Sequence, residues 1–68
     1  MNLRINGEDQ EVVENTSLQE LVTQLKLSPE RIAIEVNQKV VRRADWATTP
    51  LKEDDRIEIV HFVGGGAH

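Results

Sequence analysis

No cysteine occurs among the 68 residues, which excludes a disulfide staple, a thiolate zinc site and a cysteine nucleophile. Long apolar runs are missing as well: nothing approaches the roughly 20 residues that a membrane span needs. The start, Met1-Asn2-Leu3-Arg4, has no basic segment followed by an apolar one, so no signal peptide and a cytoplasmic location are expected. Positive charge is not in excess. Eight Lys and Arg stand against twelve Asp and Glu, for a formal net charge of −4, and the signs are interspersed. That balance argues against nucleic acid and against a polybasic membrane contact as partners. With two histidines and no metal cluster, nucleophile–base pair or phosphate loop, an independent enzyme is not expected.

What is present is patterning. Leu3 and Ile5 alternate with Asn2, Arg4 and Asn6, the period of a strand with one buried face. Asn6-Gly7 then supplies the positive φ angles of a two-residue hairpin turn. The return strand is expected over Gln10 to Glu14, with Val12 or Val13 facing inward. Ser17 and Glu20 have the spacing of a capping box. Leu18, Leu21, Val22 and Leu25 follow as the apolar stripe of one helix, which Ser28-Pro29 is expected to close. From Arg31 to Asn37, Ile32, Ile34 and Val36 share one strand face. Asn37-Gln38 reads as a turn, and Lys39 to Arg42 as a short returning strand.

Residues 43–55 read as irregular, anchored at the edge of the core by Trp46, whose indole can cover a large area. Arg42, Arg43 and Asp45 read as a solvated turn. The last strand, Arg56 to Phe62, puts Ile57, Ile59 and His61 on one side and Glu58, Val60 and Phe62 on the other. His61 reads as a packed or edge residue and not as a general base. These elements imply an α+β domain over residues 1–63, a four- to five-stranded mixed sheet with one main helix packed on one face. Residues 64–68 form a glycine tail, Gly64-Gly65-Gly66, with a two-residue extension, Ala67-His68. With Ile57 and Ile59 under the helix, Val60 and Phe62 lie on the open side of the sheet. An exposed apolar pair beside such a tail fits a docking patch, and equally a residue that covers the sheet edge.

Asn6-Gly7, Val36-Asn37, Val40-Val41-Arg42, Trp46, Leu51, Asp55 and above all His61-Phe62-Val63-Gly64-Gly65-Gly66 together resemble the ThiS family of ubiquitin-like β-grasp sulfur carriers of thiamine biosynthesis. The resemblance covers residues 1–66 and implies a carrier, not a catalyst. It implies an E1-like adenylating enzyme of the ThiF type, which uses ATP and magnesium, and a thiazole synthase of the ThiG type that takes the sulfur. The chain itself would bind no cofactor. Gly66 would bear the acyl group that becomes a thiocarboxylate, Gly64 and Gly65 would complete the tail, and Val60, Phe62 and Val63 would help to dock the partners.

Two departures accompany this resemblance. Asp54-Asp55 stands where the family usually has Gly-Asp, and Asp tolerates the left-handed region better than most residues. The sequence also continues past Gly66, so removal of Ala67-His68 by a peptidase is expected if Gly66 is to be charged; a cloning remnant is the plain alternative. A carrier for another pathway (MoaD-like, for molybdopterin, cysteine or tRNA thiolation) and a non-covalent β-grasp module with a passive tail are the competing readings.

Overall fold

The computed structural model describes residues 1–62. Its strands are β1 (Asn2–Ile5), β2 (Glu8–Glu11), β3 (Ile32–Val36), β4 (Lys39–Val40) and β5 (Arg56–His61), and its helix is α1 (Leu18–Gln24). The five strands form one mixed sheet in the order β2-β1-β5-β3-β4. The last strand is thus the central one, parallel to β1 and antiparallel to β3. Among the described residues no helix is long and apolar enough to cross a membrane.

Asn6 and Gly7 take φ of 50° and 83°, the geometry of the tight turn whose twist suits a hairpin. A two-residue turn lets pairing resume at once, with Ile5 opposite Glu8. The return strand therefore occupies Glu8–Glu11 and not Gln10 to Glu14. Past its end Val12 turns into the core and Val13 stays exposed.

α1 begins on the complete capping box of Ser17 and Glu20. It ends earlier than the proline suggests. Leu25 is its C-cap and Lys26 adopts φ 59°. The Leu27 amide donates to Val22 O and that of Lys26 to Thr23 O. This pairing satisfies the last carbonyls and closes the helix, while Pro29 opens a separate 3₁₀ turn over Pro29–Arg31. Leu18, Leu21 and Val22 are buried, and Leu25 packs half-buried against them.

The helix covers one sheet face, on which Leu3, Ile5, Ile32, Ile34, Ile57 and Ile59 are buried. Returning pairing after Asn37-Gln38 stops at Val40, not at Arg42. One further bond runs from the Val41 amide to Ile34 O, and the chain then enters a 3₁₀ helix over Arg43–Thr48 where an irregular segment was expected. That short helix carries Trp46 inward. The indole is 1% exposed and its Nε1 donates to Val41 O at 2.9 Å, so it is a full core residue and not an edge anchor. Arg42, Arg43 and Asp45 remain exposed, as a solvated turn should. Asp54, at φ 69°, takes the left-handed conformation at the turn before β5. Asp55 then fastens that turn, accepting from Asn37 Nδ2 at 2.9 Å and from the Lys52 amide at 2.8 Å.

Candidate functional site

The end of β5 is the candidate site, because this central strand is the last element before the glycines in the sequence. Two devices hold that end. On the β1 side, the Asn6 carboxamide accepts from the Ile59 amide at 2.7 Å and donates to Ile59 O at 3.3 Å. On the β3 side, the ladder runs on to Ile32 opposite His61. The Phe62 amide then donates to Arg31 O at 2.9 Å. The β1 side therefore holds β5 as far as Ile59, and the β3 side alone carries the pairing to Phe62, the last described residue.

Alternation with Leu3 and Ile5 predicts Asn6 on the open side of the sheet. Its carboxamide instead lies along the ladder, because it occupies both polar groups of Ile59. Nothing in the sequence spacing signals this bond, which joins residues 53 positions apart; the Asn-Gly turn signal accounts only for the backbone conformation.

Beyond this clamp, Val60 on the open face of β5 and Phe62 just past its end are 57% and 59% exposed. Val60 lies opposite the half-buried Ala33 of β3. Exposed apolar side chains on a central strand leave one face of the sheet uncovered, the usual character of a contact surface. His61 is exposed and forms no ion pair among the described residues. Val63, Gly64, Gly65, Gly66, Ala67 and His68 lie outside the described residues.

Further back on the same face the surface is polar. Arg4 and Arg56 are register partners on β1 and β5. They border a depression of about 170 Å³ together with Asn2, Asp9 and Asp54, and the Arg4 guanidinium stands 3.9 Å from Asp9. Glu35 and Glu58 are register partners on β3 and β5. A larger depression of about 520 Å³ lies along α1 between Val13, Glu14, Gln19 and Thr23, and none of the residues around it belongs to β5. Among the described residues no group of His, Asp and Glu is arranged to hold a metal ion.

Comparison with known proteins gives the same direction. The ThiS family profile matches residues 3–66. The chain is 34% identical over 65 residues to the sulfur carrier protein ThiS of Bacillus subtilis, covering 94% of this chain and 98% of that protein. It is 43% identical over its full 68 residues to a thiazole synthase of Magnetococcus marinus. The chain spans 21% of the length of that protein and 21% of a second thiazole synthase, from Paramagnetospirillum magneticum. Among solved structures, the crystal structure of the thiamine biosynthesis protein ThiS from Geobacter metallireducens superposes with a TM-score of 0.85 at 35% identity, covering 97% of this chain and 100% of that one. The family profile spans nearly the whole chain, and the ThiS carrier of Bacillus subtilis is matched over nearly its full length: this chain belongs to the ThiS family.

Proposed function

We propose that this chain is a sulfur carrier whose Gly66 is activated as an acyl-adenylate, converted to a thiocarboxylate and discharged to a thiazole-forming acceptor. The observation that carries the reading is the family match through Gly66, on a fold whose central strand, clamped on both sides, leads to that glycine.

The chemistry explains the residues. A carboxylate is a poor electrophile until its oxygen attacks the α-phosphorus of ATP, expelling pyrophosphate and forming a mixed anhydride with AMP. A sulfur nucleophile then adds to the acyl carbon and AMP leaves. The resemblance to the ThiS family implies a cysteine persulfide on another protein as the sulfur source, and a thiol that cleaves the resulting acyl disulfide leaves the thiocarboxylate. Side chains beside the acyl carbon would obstruct each of these active sites, and Gly64, Gly65 and Gly66 have none. A carboxylate exists at Gly66 only once the Gly66–Ala67 bond is broken, so removal of Ala67-His68 belongs to this proposal. Val60, Phe62 and Val63 would dock the partners, a ThiF-type adenylating enzyme and a ThiG-type thiazole synthase. The likeness to two thiazole synthases supports the second of these.

The test uses the chain ending at Gly66, incubated with the adenylating enzyme, magnesium, ATP and a sulfur donor, and read by intact mass. Replacement of one oxygen by sulfur, located at Gly66, is the expected result. Absence of both AMP and the mass change, with an adenylating enzyme active on another carrier, would overturn it.

A further inference from the structure

Of the four asparagines, Asn6 alone is followed by glycine: Asn2 precedes Leu3, Asn15 precedes Thr16 and Asn37 precedes Gln38. A side chain on the following residue shields its backbone nitrogen, and Gly7 has none. Both Asn6 and Gly7 are exposed, so water reaches the turn. Among the described residues no hydrogen bond occupies the Gly7 amide. The Asn6 carboxamide carbon thus has an unshielded nitrogen for a neighbour. In the folded chain the carboxamide is not free to turn towards it. Oδ1 accepts from the Ile59 amide at 2.7 Å and Nδ2 donates to Ile59 O at 3.3 Å.

We propose that Asn6-Gly7 is a deamidation site, held unreacted by the bonds to Ile59 and converted when that clamp opens. In the reaction the Gly7 nitrogen gives its proton to hydroxide and bonds to Asn6 Cγ. The Cγ–Nδ2 bond breaks, Nδ2 takes a proton from water, and ammonia leaves behind a five-membered imide. Water then adds to one of the two imide carbonyls. Opening at Cγ gives aspartate; opening at the backbone carbonyl gives isoaspartate, whose main chain runs through the side-chain carbon. One water is consumed and one ammonia released, and no oxidant or reductant takes part. Attack makes Cγ tetrahedral and removes Nδ2, so neither bond to Ile59 survives the step. Two hydrogen bonds of about 1 kcal/mol each therefore slow it about tenfold or more. The product does not restore the clamp. A carboxylate only accepts, so Ile59 O loses its donor and faces a charged oxygen. Isoaspartate also adds a main-chain atom to a turn whose two-residue length sets Ile5 opposite Glu8. This inference stands apart from the carrier reading: it needs only the hairpin, the clamp and water.

The test holds the full chain at mildly alkaline pH, folded and in denaturing guanidinium, and follows intact mass and peptide maps with isoaspartate labelling. Conversion at Asn6 is expected, about tenfold or more faster in the unfolded chain. Gly7→Ala should suppress it in guanidinium too, where folding plays no part. Below the unfolding transition, conversion should accelerate together with amide exchange at Ile59, which reports the opening of the same bond. Conversion as fast in the folded as in the unfolded chain overturns the inference. So does conversion that maps to Asn2, Asn15 or Asn37 instead, or that stays constant while Ile59 exchange rises. The converted protein carries one added negative charge and separates by ion exchange. It is expected to melt about 4–10 °C lower than the parent and to exchange faster at Ile59. A converted protein that melts and exchanges like the parent has kept its clamp, and overturns the inference as well.

Discussion

The Asn6 carboxamide takes both backbone polar groups of Ile59, accepting at 2.7 Å and donating at 3.3 Å. A side chain thereby does what another residue of β1 would do in the parallel ladder, at the point where β1 has already turned into the hairpin. Asn6 also holds φ 50°, a region where Asn is among the few tolerated residues besides glycine. Asn6→Ala loses both bonds and strains the turn, and is expected to cost about 2–3 kcal/mol. Asn6→Gly keeps the turn and loses the bonds, and should cost only about 1 kcal/mol. Denaturant titration gives the two values. Amide exchange at Ile59 should accelerate in both variants, and equal costs for Ala and Gly would refute the turn contribution.

Trp46 is the only tryptophan and is 1% exposed, so its emission should be blue-shifted in the native chain and move to the red on unfolding. Trp46→Ala removes the largest fully buried side chain at an expected cost of about 3–5 kcal/mol. A domain of this size has only about 3–10 kcal/mol in total, so a largely unfolded circular dichroism spectrum at 37 °C is the expected outcome. Trp46→Phe keeps most of the volume but leaves Val41 O without the indole donor. A folded protein weakened by about 1–3 kcal/mol is expected there.

Lys26 closes α1 at φ 59° without the glycine that usually occupies such a position. Lys26→Gly relieves the Cβ strain of the left-handed region and should stabilise the domain by about 0.5–1 kcal/mol, a rise of about 2–8 °C in melting temperature. Lys26→Ala retains the strain and should show no such gain, so parallel thermal melts separate a backbone effect from the loss of a charge.

How much of this was legible beforehand differs from residue to residue. The alternation of Leu3 and Ile5, Ile32 and Ile34, and Ile57 and Ile59 predicts the buried sheet face, because a period of two leaves each strand one way to hide its apolar residues. Ser17 and Glu20 announce the helix start through bonds that are local in sequence. The helix end escaped for the converse reason: a lysine in the left-handed region carries no sequence signature, and Pro29 was the nearest visible stop. The depth of Trp46 depends on a 3₁₀ helix that no periodicity marks in Arg43–Thr48. Asn6 with Ile59, and the pairing of Arg4 with Arg56, follow from which strands lie side by side. That order becomes readable only once β5 is known to enter between β1 and β3. Val60 is legible as an open-face residue, since its parity is opposite to that of the buried Ile57 and Ile59.

That parity leads to the most direct check on the candidate surface. Val60 and Phe62 are 57% and 59% exposed, so neither contributes much to the core, and surface substitutions of this kind usually shift stability by no more than about 0.5 kcal/mol. Val60→Ser combined with Phe62→Ser should therefore leave the melting temperature and amide exchange in β1 and β3 close to parental. A docking role predicts a different response in binding. Loss of two apolar contacts at the centre of an interface costs about 1–3 kcal/mol, roughly 5- to 150-fold in the dissociation constant. Measuring both quantities on the same preparation separates the alternatives. A residue that merely packs on the sheet would lower stability and leave binding intact, whereas a docking residue would do the reverse, and unchanged binding by titration calorimetry would remove these two side chains from the site.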